Sequence, residues 1–385
     1  MNQVLEDVRV LDLSRLFPGP FATLLLSDLG AEVTKVEDPK GGDYIRYFPP
    51  LCDDGSGAPF HALNRGKKSV ALDLKTELGK TALRKLLASA DVLVESFRPG
   101  VLEKLGFAPN ELLADFPQLI ICRISGYGQS GPDAGKAGHD LNYAARAGVL
   151  GIMKDPQALP VQIGDLCGGA WPAAFQICAA LFHRTRTGRG CIIDVSMTDG
   201  AQGMLILPLA RRQLEKESPI GNGVDMLAGA VPAYDVYPTK EGHLAVGALE
   251  PKFWARFCEA LGLQDIAGGA FASGEEGNQV RETIRAKLQE KTAKEWALEL
   301  SDHDCCVEEV IAPEDVADNL KSQEGTLAAP MSIGGVSVHM PMPALDLARG
   351  QQPKTPCSPL GEDTRESLTQ AGVDTDTLTG LLDPS

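Results

Sequence analysis

Val8-Arg9-Val10-Leu11-Asp12-Leu13, then Pro18-Gly19-Pro20, Phe21–Leu29, Gly30 and Ala31–Val36, is the stretch whose reading decides the fold. A short β-branched run, an apolar run opened by prolines and stopped by glycine, and a second β-branched run read as strand, helix, strand. The rhythm continues outward. Ser69–Leu74 reads as a short extended piece, Glu77–Ser89 as an amphipathic helix with Leu78, Leu83, Leu86 and Leu87 on its apolar side, and Asp91–Glu95 as a strand. Glu111–Phe116 forms a helical turn, and Leu119–Ile124 is a strand apolar enough to be covered on both faces. This alternation predicts an α/β protein with a parallel, doubly wound, Rossmann-like sheet.

The middle of the chain changes character. Gly168–Phe182 reads as a small-residue central helix and Cys191–Val195 as a strand; Val231–Tyr237 and His243–Val246 read as antiparallel strands turning at Lys240-Glu241-Gly242. Helical patterns follow at Lys252–Leu261, Asn278–Lys291 and Ala293–Leu300, with two short helices between Ser358 and Leu382. These readings give a large domain over 1–205, a smaller α+β domain over 225–325, and a return of 335–385 to the large domain.

The 385 residues carry a formal charge of −16, 43% hydrophobic and 23% charged residues. That profile fits a globular chain and argues against nucleic-acid or anionic-membrane partners. Nine cysteines without a C-x-x-C pair fit free thiols in a reducing compartment, and no metal site is expected. The first residues lack the features of a signal peptide, and no uncharged apolar run reaches spanning length, so a cytoplasmic location is expected.

Gly126-Tyr127-Gly128-Gln129-Ser130-Gly131 has the form G-x-G-x-x-G, but Pro132-Asp133-Ala134-Gly135 follows in place of an amphipathic helix. A flexible active-site loop is expected there rather than a nicotinamide site. Gly138-His139-Asp140-Leu141-Asn142-Tyr143 and Ile163-Gly164-Asp165 offer an imidazole and a carboxyl. His139 stands at the edge of a helix whose first N–H, that of Asp140, is free to stabilise an oxyanion. Asp165, between an apolar stretch and a helix start, suits either an N-cap or a general acid. Glu250, before Pro251, reads first as a cap or a solvated residue. Cations gather at Arg65, Lys67, Lys68, Lys75, Arg98 and Lys104, where an anionic ligand could dock despite the acidic whole.

Phe17-Pro18-Gly19-Pro20-Phe21, Asp28–Val33, Asn64–Ser69, Leu72–Lys75, Phe97-Arg98-Pro99-Gly100, Ser125–Pro132 and Pro359–Arg365 together resemble the family III CoA-transferase superfamily over nearly the whole length. Within it, Gly138–Tyr143 and Gly247–Pro251 look like the α-methylacyl-CoA racemase branch. The resemblance implies two interlocked chains, with His139 and Asp165 as the two bases and Glu250 supporting them, contributed across the dimer. It further implies catalysis without a cofactor, coenzyme A entering as part of the substrate, and a role in fatty-acyl metabolism. The arginine expected directly before Pro39 is Asp38 here, so Lys40 is taken as the adenosine-phosphate contact. Ala71, Leu72, Asp73, Leu74, Lys75, Arg98, Lys104, Gly138, Asp140 and Tyr143 complete the implied CoA site. The alternatives are a CoA-transferase using Asp165 as nucleophile and a non-catalytic acyl-CoA-binding protein.

Overall fold

The computed structural model describes residues 4–53, 55–217, 219–322, 328–333, 336–341 and 355–382. Residues 323–325 of the expected small domain, and 335, 342–354 and 383–385 of the expected C-terminal return, lie outside these. The chain divides into two compact units, one of Met1–Ala147, Ala158–Met204 and Leu320–Ser385, the other of Gly148–Gln157 and Leu205–Asn319.

The first unit is built on six parallel strands: β1 (Arg9–Asp12), β2 (Glu32–Glu37), β3 (Lys68–Ala71), β4 (Val92–Glu95), β5 (Ile120–Ser125) and β6 (Ile192–Ser196), ordered β3-β2-β1-β4-β5-β6. Strand side chains alternate between faces, and the core divides accordingly. Val10, Val33, Val92, Val94, Ile120 and Cys122 pack with Ala22 and Leu26 of helix Pro18–Asp28 and with Ile177 of helix Trp171–Thr187. Leu11, Val36, Val70, Leu93 and Ile121 pack on the other face with Leu83 and Leu86 of helix Glu77–Leu87 and with Leu368 and Leu378 of the tail helices. β4 and β5 are buried at every position, as a doubly covered sheet requires.

The doubly wound sheet is therefore present, with boundary corrections. The first helix begins at Pro18 rather than Phe21, because Pro at the start lacks an N–H that would go unpaired and already has helical φ. Gly19 is required there, since a Cβ would lie 2.1 Å from the Ser14 side chain. The central helix begins earlier than Gly168. Ile163–Ala170 is a π-helical run that continues into Trp171–Thr187. Gly168 lets that run press against helix Met197–Gly203, where a Cβ would sit 2.2 Å from the Met197 carbonyl oxygen. The combined Ile163–Thr187 stretch is long and apolar enough to cross a membrane by length and composition, and 44% of its apolar window is buried.

The second unit holds an antiparallel sheet of β7 (Tyr234–Pro238), β8 (His243–Gly247) and β9 (Val307–Glu309). Trp254, Phe257, Ile284 and Trp296 from helices Pro251–Ala260, Gly274–Leu288 and Ala293–Leu300 form its core around Tyr237. In the first unit a separate antiparallel pair, β10 (Ala328–Ile333) with β11 (Val336–Pro341), has no counterpart in the sequence reading.

Candidate active site

β1 and β4 are neighbours in the sheet, yet the chain leaves them toward opposite edges. Open α/β sheets bind ligands at the carboxyl ends of strands beside such a switch point. A cavity of about 650 Å³ opens there. The β1 end supplies Arg15 and Leu16, the β4 end supplies Phe97 and Arg98, and the β5 end supplies Ser125 and Gly126. Across from them stand Lys136, Gly138, His139, Asn142 and Tyr143, and then Asp165. His139 and Asp165, 26 positions apart in sequence, thus line one cavity.

Local structure explains how each arrives. His139 precedes helix Asp140–Ala147; its carbonyl accepts from Asn142 N–H at 2.8 Å, while its own N–H donates to Asn142 Oδ1 at 3.0 Å. The reciprocal pair fixes the residue at the helix mouth, where the Asp140 N–H takes no part in a helical bond. Tyr143 packs between two glycines: a Cβ on Gly126 or Gly138 would lie 2.4 or 2.7 Å from its ring. Its hydroxyl donates to the Gly138 carbonyl and its ring meets Tyr127 edge-on at 5.3 Å. Burial, then the nearby Asp165 charge, raises the Tyr143 phenol to about 12.

Asp165 is not the helix cap that the sequence suggested. It sits within the first turn of the π-helical run, whose preceding residue is Gln162. Its N–H donates to Asp140 Oδ1 at 2.8 Å, an approach that Gly164 permits because a Cβ there would crowd Tyr143 Cβ at 3.0 Å and Asp140 Oδ1 at 3.2 Å. Burial, reinforced by the Asp140 carboxylate, raises the Asp165 carboxyl from 3.8 to about 7. A carboxyl in that range can both donate and accept a proton near neutrality.

A second cavity of about 310 Å³ shares Arg15, Tyr44 and Phe97 with the first, and Leu72, Asp73, Leu74 and Lys75 line it beyond the end of β3. Ala71 ends β3 with its N–H on Thr364 Oγ1 at 3.0 Å. Lys40 and Lys104 are exposed and line neither cavity. Two members of the expected cationic cluster are corrected: Arg65 and Lys67 are buried and paired, Arg65 with Asp28 at 2.7 Å and Lys67 with Asp12 at 3.1 Å. Desolvated cations need such partners, so these two are structural rather than ligand-facing. Lys68 pairs with Glu32 at 3.3 Å on the sheet edge. Glu250 belongs to the second unit, where it precedes helix Pro251–Ala260 without a side-chain cap bond. Arg15, Tyr44 and Lys136 went unnoticed in the sequence; the β1–β4 switch point was the signal that could have exposed Arg15. Among the described residues no group of three or more His, Cys, Asp or Glu is arranged to hold a metal ion. All nine cysteines are free thiols.

A six-stranded doubly wound sheet with a cleft at its switch point, lined by a histidine, an aspartate and several cations, defines an α/β protein suited to an anionic ligand. The sequence matches CoA-transferase family III over residues 5–364, and the chain belongs to that family. It is 36% identical to an α-methylacyl-CoA racemase of Mus musculus, over 96% of this chain and 93% of that protein. It is also 32% identical to a succinyl-CoA:mesaconate CoA-transferase of Haloarcula marismortui, over 97% of this chain and 98% of that one. The crystal structure of a CAIB/BAIF family protein from Brucella suis superposes with a TM-score of 0.80 at 28% identity, covering 96% of this chain and 100% of that one. Overall similarity therefore fixes an acyl-CoA enzyme family and leaves the reaction to the site.

Proposed function

We propose that this protein is a 2-methylacyl-CoA racemase that moves a proton from one face of C2 to the other without a cofactor. The observation carrying the reading is that His139 and Asp165 line one cavity, with the Asp165 carboxyl raised to about 7. A thioester acidifies its C2 hydrogen. His139 removes that proton from the 2S ester while Asp165, protonated, returns one to the opposite face; the roles reverse for the 2R ester. The enolate oxygen is held by the Asp140 N–H, a preorganised donor of a kind worth about 3–4 kcal/mol. General acid–base catalysis contributes about 10²–10⁴-fold.

A CoA-transferase reading, in which Asp165 attacks the thioester, has the transferase relative in its favour. A nucleophilic carboxylate works ionised, and a carboxyl lifted to about 7 is about half ionised at neutral pH, so Asp165 serves either reaction and it is His139 in the same cavity that favours the racemase. Racemase assay in deuterated water with a 2-methylacyl-CoA and no acceptor acid separates the two. The racemase exchanges C2 hydrogen; a transferase needs a free carboxylate and shows ping-pong kinetics. We place the protein in the cytoplasm, in fatty-acyl metabolism, as a homodimer. Exposed Trp171, Phe175 and Phe182 along helix Trp171–Thr187 support the last of these, as apolar surface of that kind favours a protein partner.

A further inference from the structure

The turn between β1 and the first helix is built unlike an ordinary loop. Its three successive N–H groups are each held by a side chain, two of them from distant parts of the chain. Ser14 N–H donates to Asp12 Oδ1 at 2.9 Å, Arg15 N–H to Ser96 Oγ at 3.1 Å, and Leu16 N–H to Asp43 Oδ1 at 3.0 Å. The Ser14 carbonyl accepts from Lys35 Nζ at 2.9 Å, and Lys35 is fully buried against Asp43 at 3.0 Å. Leu16 is forced to a φ of +64°, a conformation that leucine seldom adopts and that the surrounding bonds must impose.

The product of this arrangement is the placement of Arg15. Its guanidinium has no carboxylate partner among the described residues. It donates to the Tyr44 hydroxyl at 3.3 Å and lies over the Tyr44 and Phe97 rings at 5.4 and 5.9 Å. Those same three residues form the wall common to the two cavities. The smaller cavity offers apolar walls at Leu13, Val36 and Leu72 for a base, and Asp38 after β2 as an acceptor for the ribose 2′-hydroxyl. The larger one holds His139 and Asp165. In a coenzyme A ester the diphosphate directly follows the nucleoside, so a molecule with its nucleoside in the smaller cavity and its thioester in the larger one carries its diphosphate from the smaller cavity toward the wall between them.

We propose that Arg15, presented by the side-chain-locked turn Ser14–Leu16, binds the diphosphate of the coenzyme A ester and thereby joins the nucleotide cavity to the reaction cavity. A planar, permanently charged guanidinium suits two adjacent phosphates better than an ammonium does. This rests on the acyl-CoA reading of the site above.

The test is calorimetric titration of the full chain and its Arg15→Ala and Arg15→Lys variants with CoA, dephospho-CoA and pantetheine, after confirming unchanged melting. Arg15→Ala is expected to weaken CoA and dephospho-CoA alike by about 10- to 100-fold, the loss expected for a charge-assisted contact. Pantetheine affinity should not change, and Arg15→Lys should fall between. Equal losses for pantetheine would make Arg15 structural, a loss confined to CoA would assign it to the 3′-phosphate, and no loss would leave it without a ligand role; each overturns the proposal. Failure of the unaltered protein to bind CoA at all would instead overturn the acyl-CoA reading.

Discussion

Replacing Asp165 with asparagine removes one ionisable group and keeps nearly the same shape. The folded carboxyl titrates near 7, against 3.8 in an unstructured chain, because burial and then the Asp140 charge disfavour its ionised form. Below pH 4 both folded and unfolded chains hold the proton, so Asp165 leaves stability unchanged. Between pH 4 and 7 only the folded chain holds it, and the native state loses stability as pH rises. Above pH 7 the full penalty is present, about 4 kcal/mol at 1.36 kcal/mol per pH interval. About 2.5 kcal/mol of that accrues between pH 5 and 8, and the open cavity beside the carboxyl screens it to roughly half. Asp165→Asn should therefore gain about 1 kcal/mol over the unaltered protein on going from pH 5 to pH 8, a widening of roughly 2–4 °C in melting temperature. Paired thermal melts at the two pH values measure it directly. A difference that stays constant, or that widens toward acid, would refute the assignment of a raised carboxyl.

Asp140→Asn keeps an oxygen for the Asp165 N–H but removes the neighbouring charge, so the carboxyl limb of the pH–rate profile should move toward lower pH by less than half of the rise from 3.8 to about 7, since burial is the larger cause. Gly168→Ala drives a Cβ into the Met197 carbonyl oxygen and Ala201 N, backbone atoms that cannot swing aside. Denaturant unfolding should show a loss of about 1–3 kcal/mol, with activity falling alongside because the π-helical run carries Asp165.

The sheet was legible because each parallel strand is an apolar run buried on both faces, and residues such as Val10 and Leu11 divide between the two cores by simple alternation. The π-helical run around Asp165 was not, since a widened turn leaves no mark in a sequence of small residues, and the close packing of its Gly168 is on a helix some thirty positions away. Arg65 and Lys67 looked like solvent-facing cations because their partners, Asp28 and Asp12, are 37 and 55 residues distant. β9 is only three residues long, too short for a periodic signal. His139 and Asp165 were found by motif and resemblance, whereas Arg15 needed the strand order, which places the β1 turn beside Ser96.

The central claim is that one imidazole and one carboxyl exchange the hydrogen on C2 of an acyl thioester. Nuclear magnetic resonance of a 2-methylacyl-CoA in deuterated water, with the enzyme and no acceptor acid, tests it most directly. Deuterium should enter C2 from either enantiomer, and His139→Ala, with unchanged melting, should lose about 10²–10⁴-fold of that rate. Retention of the C2 hydrogen while CoA passes to an added carboxylate would contradict the account.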